Sequence, residues 1–118
     1  VVREDPQEFL LPSVVKVVVD DRGDALYFSR APIPHYRNAG SSSFRKHLGI
    51  YGYRKDFLLR LSTLPPSPLE EAECLEQLRV LQSGEKIRVL DVDFDSVGVD
   101  TLEDLHVVER KICARKKP

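Results

Sequence analysis

The chain has 118 residues, 42% of them hydrophobic and 31% charged, enough for one modest soluble domain. Its net charge of −1 excludes a global electrostatic argument for nucleic acid or an anionic membrane. No apolar run approaches the roughly 20 residues of a membrane helix, and Arg3, Glu4 and Asp5 interrupt the N-terminus before any signal-peptide core could form.

The first clear element is "VVKVVVD", residues 14 to 20, a dense β-branched run. "DRGD" follows with Gly23 as the turn residue, then "ALYFS" at 25 to 29. This pattern predicts a β-hairpin with at least one strand buried on both faces. Residues 30 to 46 read as a loop, with two prolines in "APIP" and the small polar run "NAGSSS". "KHLGIYGYR" alternates and predicts a strand over 46–54. Its period of two points His47, Gly49, Tyr51 and Tyr53 one way, with Leu48 and Ile50 facing the core. "RKDFLLRLST" then predicts a short helix.

Pro65 and Pro66 stop that helix. Ser67 is placed to cap the next one, Pro68 suits its first position, and Glu70 completes a capping box. One apolar stripe, Leu69, Ala72, Leu75, Leu78 and Leu81, carries the helix to Gly84. "KIRVLDVDF" predicts another strand, and Leu102, Leu105, Val108 and Ile112 form the expected inner face of a last helix. The order β-β-loop-β-α-α-β-α gives an α/β class. Cys74 and Cys113 stand far apart, which argues against a disulfide framework or zinc and for a reducing cytoplasm. A start at Val1 rather than Met reads as a processed or excised piece.

Several side chains invite a functional and a plain reading together. His47 and Tyr51, on one strand face about 13 Å apart, would bracket a ligand without touching; they also suit the outer face of an ordinary strand. Glu76 and Gln77 fit a solvated helix flank. Asp100 before "TLED" fits a helix N-cap or a carboxylate for Mg²⁺. Arg30 and Arg37 flank "APIPHY" and suit either a ligand carboxylate or surface ion pairs. No phosphate loop, dinucleotide fingerprint, nucleophile elbow or zinc-protease motif occurs.

Four blocks, "VKVVVDDRGDALYFSRAPIPHYR", "HLGIYGYR", "LPPSPLEEAECLEQLRVLQSGEKI" and "GVDTLEDL", together closely resemble the 3-deoxy-manno-octulosonate (Kdo) cytidylyltransferases. The resemblance runs over roughly residues 11 to 112. It implies the C-terminal half of a Rossmann-like nucleotidyltransferase, with a mixed β-sheet flanked by helices. The implied reaction transfers CMP from CTP to Kdo, with Mg²⁺, in a cytoplasmic homodimer that serves lipopolysaccharide synthesis. Residues 1–118 would then be one partial domain, for sugar binding and dimerisation, without the CTP-binding half and inactive alone. Arg30, Arg37, His47, Tyr51, Glu76 and Gln77 match sugar-binding positions, and Asp100 matches a metal-binding aspartate. Leu11, Pro12 and Ser13 depart from the Asn-Pro-Asn usual before the Val run. A non-catalytic dimerisation or sugar-binding fragment, and a cytidylyltransferase for a related sugar acid, stay open beside it.

Overall fold

The computed structural model describes residues 1–38, 43–94, 99 and 102–115. Four strands, β1 (Val2–Arg3), β2 (Lys16–Val19), β3 (Ala25–Ser29) and β4 (Phe44–Lys46), form one sheet in the order β1-β4-β2-β3. Every pairing in it is antiparallel. Among the described residues five helices accompany the sheet: α1 (Pro6–Leu10), α2 (Lys55–Leu61), α3 (Pro68–Glu73), α4 (Gln77–Gln82) and α5 (Leu102–Arg115). The class is α/β, as the alternation of patterns implies.

The predicted hairpin forms. Val17 pairs with Phe28 and Lys16 with Ser29, and the register shifts between Val18 and Val19. Gly23 takes a φ of +84°, a conformation that favours glycine, at the turn. Lys16 and Val17 are both buried although they face opposite sides of β2, so this strand is covered on both faces. Val17, Ala25 and Phe28 pack with Leu75 and Leu78 of the α3–α4 segment, and Ile87 and Val89 close the cluster from the side. Burying a side chain such as Phe28 or Leu78 contributes about 1.5–3 kcal/mol. A second aromatic contact, Phe9 to Phe44 at 5.1 Å between ring centroids, docks α1 on β4. The pattern reading missed both β1 and α1. The latter's start is nonetheless written locally: the Asp5 carboxylate accepts from the Gln7 and Glu8 N–H groups, and Pro6 opens the helix.

Four expectations change. The strand predicted over 46–54 shrinks to Phe44–Lys46. After the His47 N–H donates to the Val15 carbonyl, the chain turns, and the Ile50 N–H reaches back to the Leu48 carbonyl. Ile50, expected in the core, is 75% exposed. Second, the single helix expected after Ser67 is two. The capping box of Ser67 and Glu70 starts α3 as predicted, but Cys74 ends it with a φ of +52°. Third, "KIRVLDVDF" gives only a bridge from Arg88 to Asp24, although the Ala25 N–H donates to the Ile87 carbonyl and the Val89 N–H to that of Gly23. The buried Asp24 carboxylate, paired with Arg88 at 2.8 Å and Lys86 at 3.2 Å, secures that segment. Fourth, Leu102, Leu105 and Ile112 of α5 are exposed, because α5 joins none of the closely packed element pairs among the described residues.

Candidate functional site

The sheet register brings sequence-distant side chains to one end of the hairpin. Lys16 of β2 stands opposite Ser29 of β3 and Lys46 of β4. One residue further, Arg30 and His47 therefore flank Val15 on its two sides, two strand spacings or roughly 10 Å apart in backbone terms. The α3–α4 corner meets Arg30 directly: its guanidinium donates from Nε to the Glu73 carbonyl at 2.9 Å and from Nη2 to the Cys74 carbonyl at 3.4 Å. A third bond runs from Nη1 to the Pro12 carbonyl at 3.1 Å.

Glu73 anchors the other side of this junction. Its carboxylate accepts from Ser29 Oγ at 2.6 Å, from the Arg30 N–H at 3.0 Å and from the Tyr27 hydroxyl at 3.4 Å. Burial pushes its pKa up, but these donors outweigh burial and leave it below the ordinary carboxylate value.

His47 and Tyr51 are in contact, contrary to the expectation that they could only bracket a ligand. Tyr51 Oη lies 2.7 Å from His47 Nε2. The turn at Leu48–Ile50 folds the segment back and closes the gap that an extended strand would have kept. Phe28 meets the edge of the His47 ring at 5.2 Å, and Tyr51 stacks on Tyr53 at 6.0 Å. Tyr53 in turn stacks on Phe57, whose ring lies beneath the Arg60 guanidinium. Desolvation lowers the His47 pKa, so the ring is neutral at neutral pH. Desolvation raises that of Tyr51, with Tyr53 and then Glu76 adding to it. Glu76, at the α3–α4 corner that Arg30 meets, adds its negative charge to the rise at both tyrosines.

The structure thus gathers Arg30, His47, Tyr51 and Glu76 around one end of the sheet, with Gln77 beside Glu76 at the start of α4. Gln77, expected on a solvated flank, is 8% exposed, and its Nε2 has no hydrogen-bond partner among the described residues. Arg37 lies exposed in the loop after β3 and joins none of these contacts. A cleft of about 1050 Å³ runs along His47, Tyr51, Tyr53 and Phe57 toward Ile87 and Leu90; Arg30, Glu76 and Gln77 are not in its lining. Asp100 lies outside the described residues. Among the described residues no group of three or more His, Cys, Asp or Glu side chains is placed to hold a metal ion. No helix among them is long and apolar enough to cross a membrane.

The pattern reading missed Lys16. Its signal was a lone lysine in a β-branched run that predicts burial on both faces. Glu73 was missed as well, and nothing in its local spacing marks it.

Known proteins resemble this chain over most of its length. A curated 3-deoxy-manno-octulosonate cytidylyltransferase from Solibacter usitatus is 55% identical over 108 residues, which are 91% of this chain and 43% of that protein. The one from Geobacter metallireducens is 50% identical, over 89% of this chain and 46% of its own length. A solved structure described as CMP:2-keto-3-deoxy-manno-octonic acid synthetase complexed with CTP superposes with a TM-score of 0.88 at 48% identity. That match covers 94% of this chain and 46% of the other. The chain therefore spans less than half the length of these relatives. A family model described as Cytidylyltransferase matches residues 1–87. With most of its length matched by that model, the chain belongs to the cytidylyltransferase family.

Proposed function

We propose that this chain forms the sugar-acid-binding part of an enzyme that transfers CMP from CTP to Kdo and releases pyrophosphate. The observation that carries the reading is the convergence of Arg30, His47, Tyr51 and Glu76 at one end of the sheet. The names of the relatives supply the substrates. Residues 1–118 act as one partial domain, in a homodimer and in the cytoplasm, as the resemblance implies.

Each residue has a task in this reading. Arg30 keeps guanidinium N–H groups for the Kdo carboxylate, a planar acceptor that suits its fork. The His47–Tyr51 pair and Glu76 meet sugar hydroxyls. Gln77 Nε2, buried without a partner among the described residues, offers a donor to a ligand oxygen. Arg37 approaches from the loop as a second cation. Together they orient the Kdo hydroxyl for attack on the α-phosphate of CTP, so this part of the enzyme contributes by positioning. Asp100 is the position the resemblance offers for Mg²⁺, which would offset charge on the phosphates when bound.

The test uses this chain joined to the remainder of a relative's enzyme. Pyrophosphate release from CTP should require Kdo, and Kdo-independent release or none from a folded hybrid would overturn the reading. His47→Ala in that enzyme should weaken Kdo use by about 10-fold, the effect of one lost ligand hydrogen bond, with little change toward CTP. Equal losses for both substrates would make the His47 segment scaffold only. Elution of the enzyme at monomer size in gel filtration would remove the homodimer.

A further inference from the structure

Lys16 is 0% exposed in the middle of the sheet, where a charge is costly unless its donors are satisfied. All three of its N–H groups find backbone carbonyls: Leu11 at 3.0 Å, Val14 at 2.7 Å and Arg30 at 2.6 Å. The ammonium therefore gathers two separate pieces of chain, residues 11–14 and the exit from β3. Both pieces carry Arg30. Its own carbonyl is held by Lys16, and its guanidinium leans on the Pro12 carbonyl within the same 11–14 segment. Glu73 takes the Arg30 N–H, and the Glu73 and Cys74 carbonyls take two more guanidinium N–H groups. With three of its five N–H groups spent on carbonyls, the Arg30 guanidinium keeps two donors, one on each Nη, for a further partner.

We propose that Lys16 is a positioning residue for Arg30: its buried ammonium fixes the Arg30 backbone and the Pro12 support, so that two guanidinium donors stay aimed at an anionic substrate group. That the anion is the carboxylate of a sugar acid rests on the proposed function; the positioning itself does not. Lysine suits the task because three diverging donors on one atom can tie three carbonyls to a point, which the planar fork of arginine cannot do.

The experiment follows the Arg30 Nε–H resonance of the whole chain by ¹⁵N NMR. In wild type it should exchange slowly with solvent. In Lys16→Met, which keeps length and apolar bulk, it should exchange about tenfold faster or more while the fold persists, as expected for losing hydrogen bonds to a charged group. Unchanged Arg30 exchange in a folded Lys16→Met chain would overturn the proposal and leave Lys16 as a stability element only. Should that variant not fold, the wild type decides: fast exchange of Arg30 Nε–H, or no protected Lys16 ammonium signal, overturns it equally. Calorimetry with Kdo on the same wild-type sample reports on the sugar-acid reading alone, so the two ideas fail separately.

Discussion

Phe28→Ala is expected to remove about 3–5 kcal/mol of stability, the usual cost of emptying a buried aromatic site. Phe28 is 1% exposed, pairs across the hairpin with Val17, and is packed with Leu75 and Leu78. It joins β3 to the α3–α4 segment, so few neighbours can collapse into the space without moving a strand. Small domains have only about 5–15 kcal/mol in total, so the variant should unfold at a much lower urea concentration. Phe28 also supports the edge of the His47 ring. In the proposed reading, Kdo use should therefore suffer even in conditions where the variant is folded. A loss under about 1 kcal/mol would mean that the ring is not part of the core.

Glu70→Gln should show itself in the acid dependence of stability. The Glu70 carboxylate accepts from Arg79 Nε at 2.7 Å and Nη2 at 2.5 Å, and from the Ser67 N–H at 3.1 Å. The Arg79 hydrogen bonds hold its pKa below the ordinary value of 4.5, against the opposing effect of burial. The folded chain thus binds this proton less readily than the unfolded chain. The stabilisation is fully present above the unfolded value and is lost as pH falls through the lower folded one. Glu73 shifts in the same direction and adds to the same slope. Neutralising Glu70 leaves Arg79 without its carboxylate partner and should lower stability at neutral pH. Urea unfolding at pH 7 and at pH 3 should show the gap between wild type and variant shrinking in acid. An equal gap at both would assign the loss to packing rather than charge.

Features decided within a few residues were legible in the sequence. The turn at Gly23 and the capping box of Ser67 and Glu70 need only their immediate neighbours, and both stand where the pattern put them. Arg30, His47, Tyr51 and Glu76 were singled out as a set by the resemblance, not by periodicity. The failures have a common origin in tertiary contacts. "KHLGIYGYR" alternates like a strand, but its pairing partner β2 begins at Lys16, and two glycines weaken an extended form. The stripe from Leu69 to Leu81 describes one continuous helix; Arg30, from another element, takes the carbonyls of Glu73 and Cys74 at the break. Lys16 shows the same limit from the other side. Its charge fits in the Val run only because the carbonyls of Leu11, Val14 and Arg30 meet around it.

The left-handed residue at Cys74 makes the α3–α4 corner a bent form of a segment whose own preference is straight. A non-glycine residue there stores about 1–2 kcal/mol, released if the backbone returns to the right-handed region. Arg30 holds the bend from outside, through two of its guanidinium bonds. Losing those two bonds, as in Arg30→Ala, would free Cys74 to straighten, and a helix running through it would turn Gln77 off its buried bearing, since each residue advances the face by about 100°.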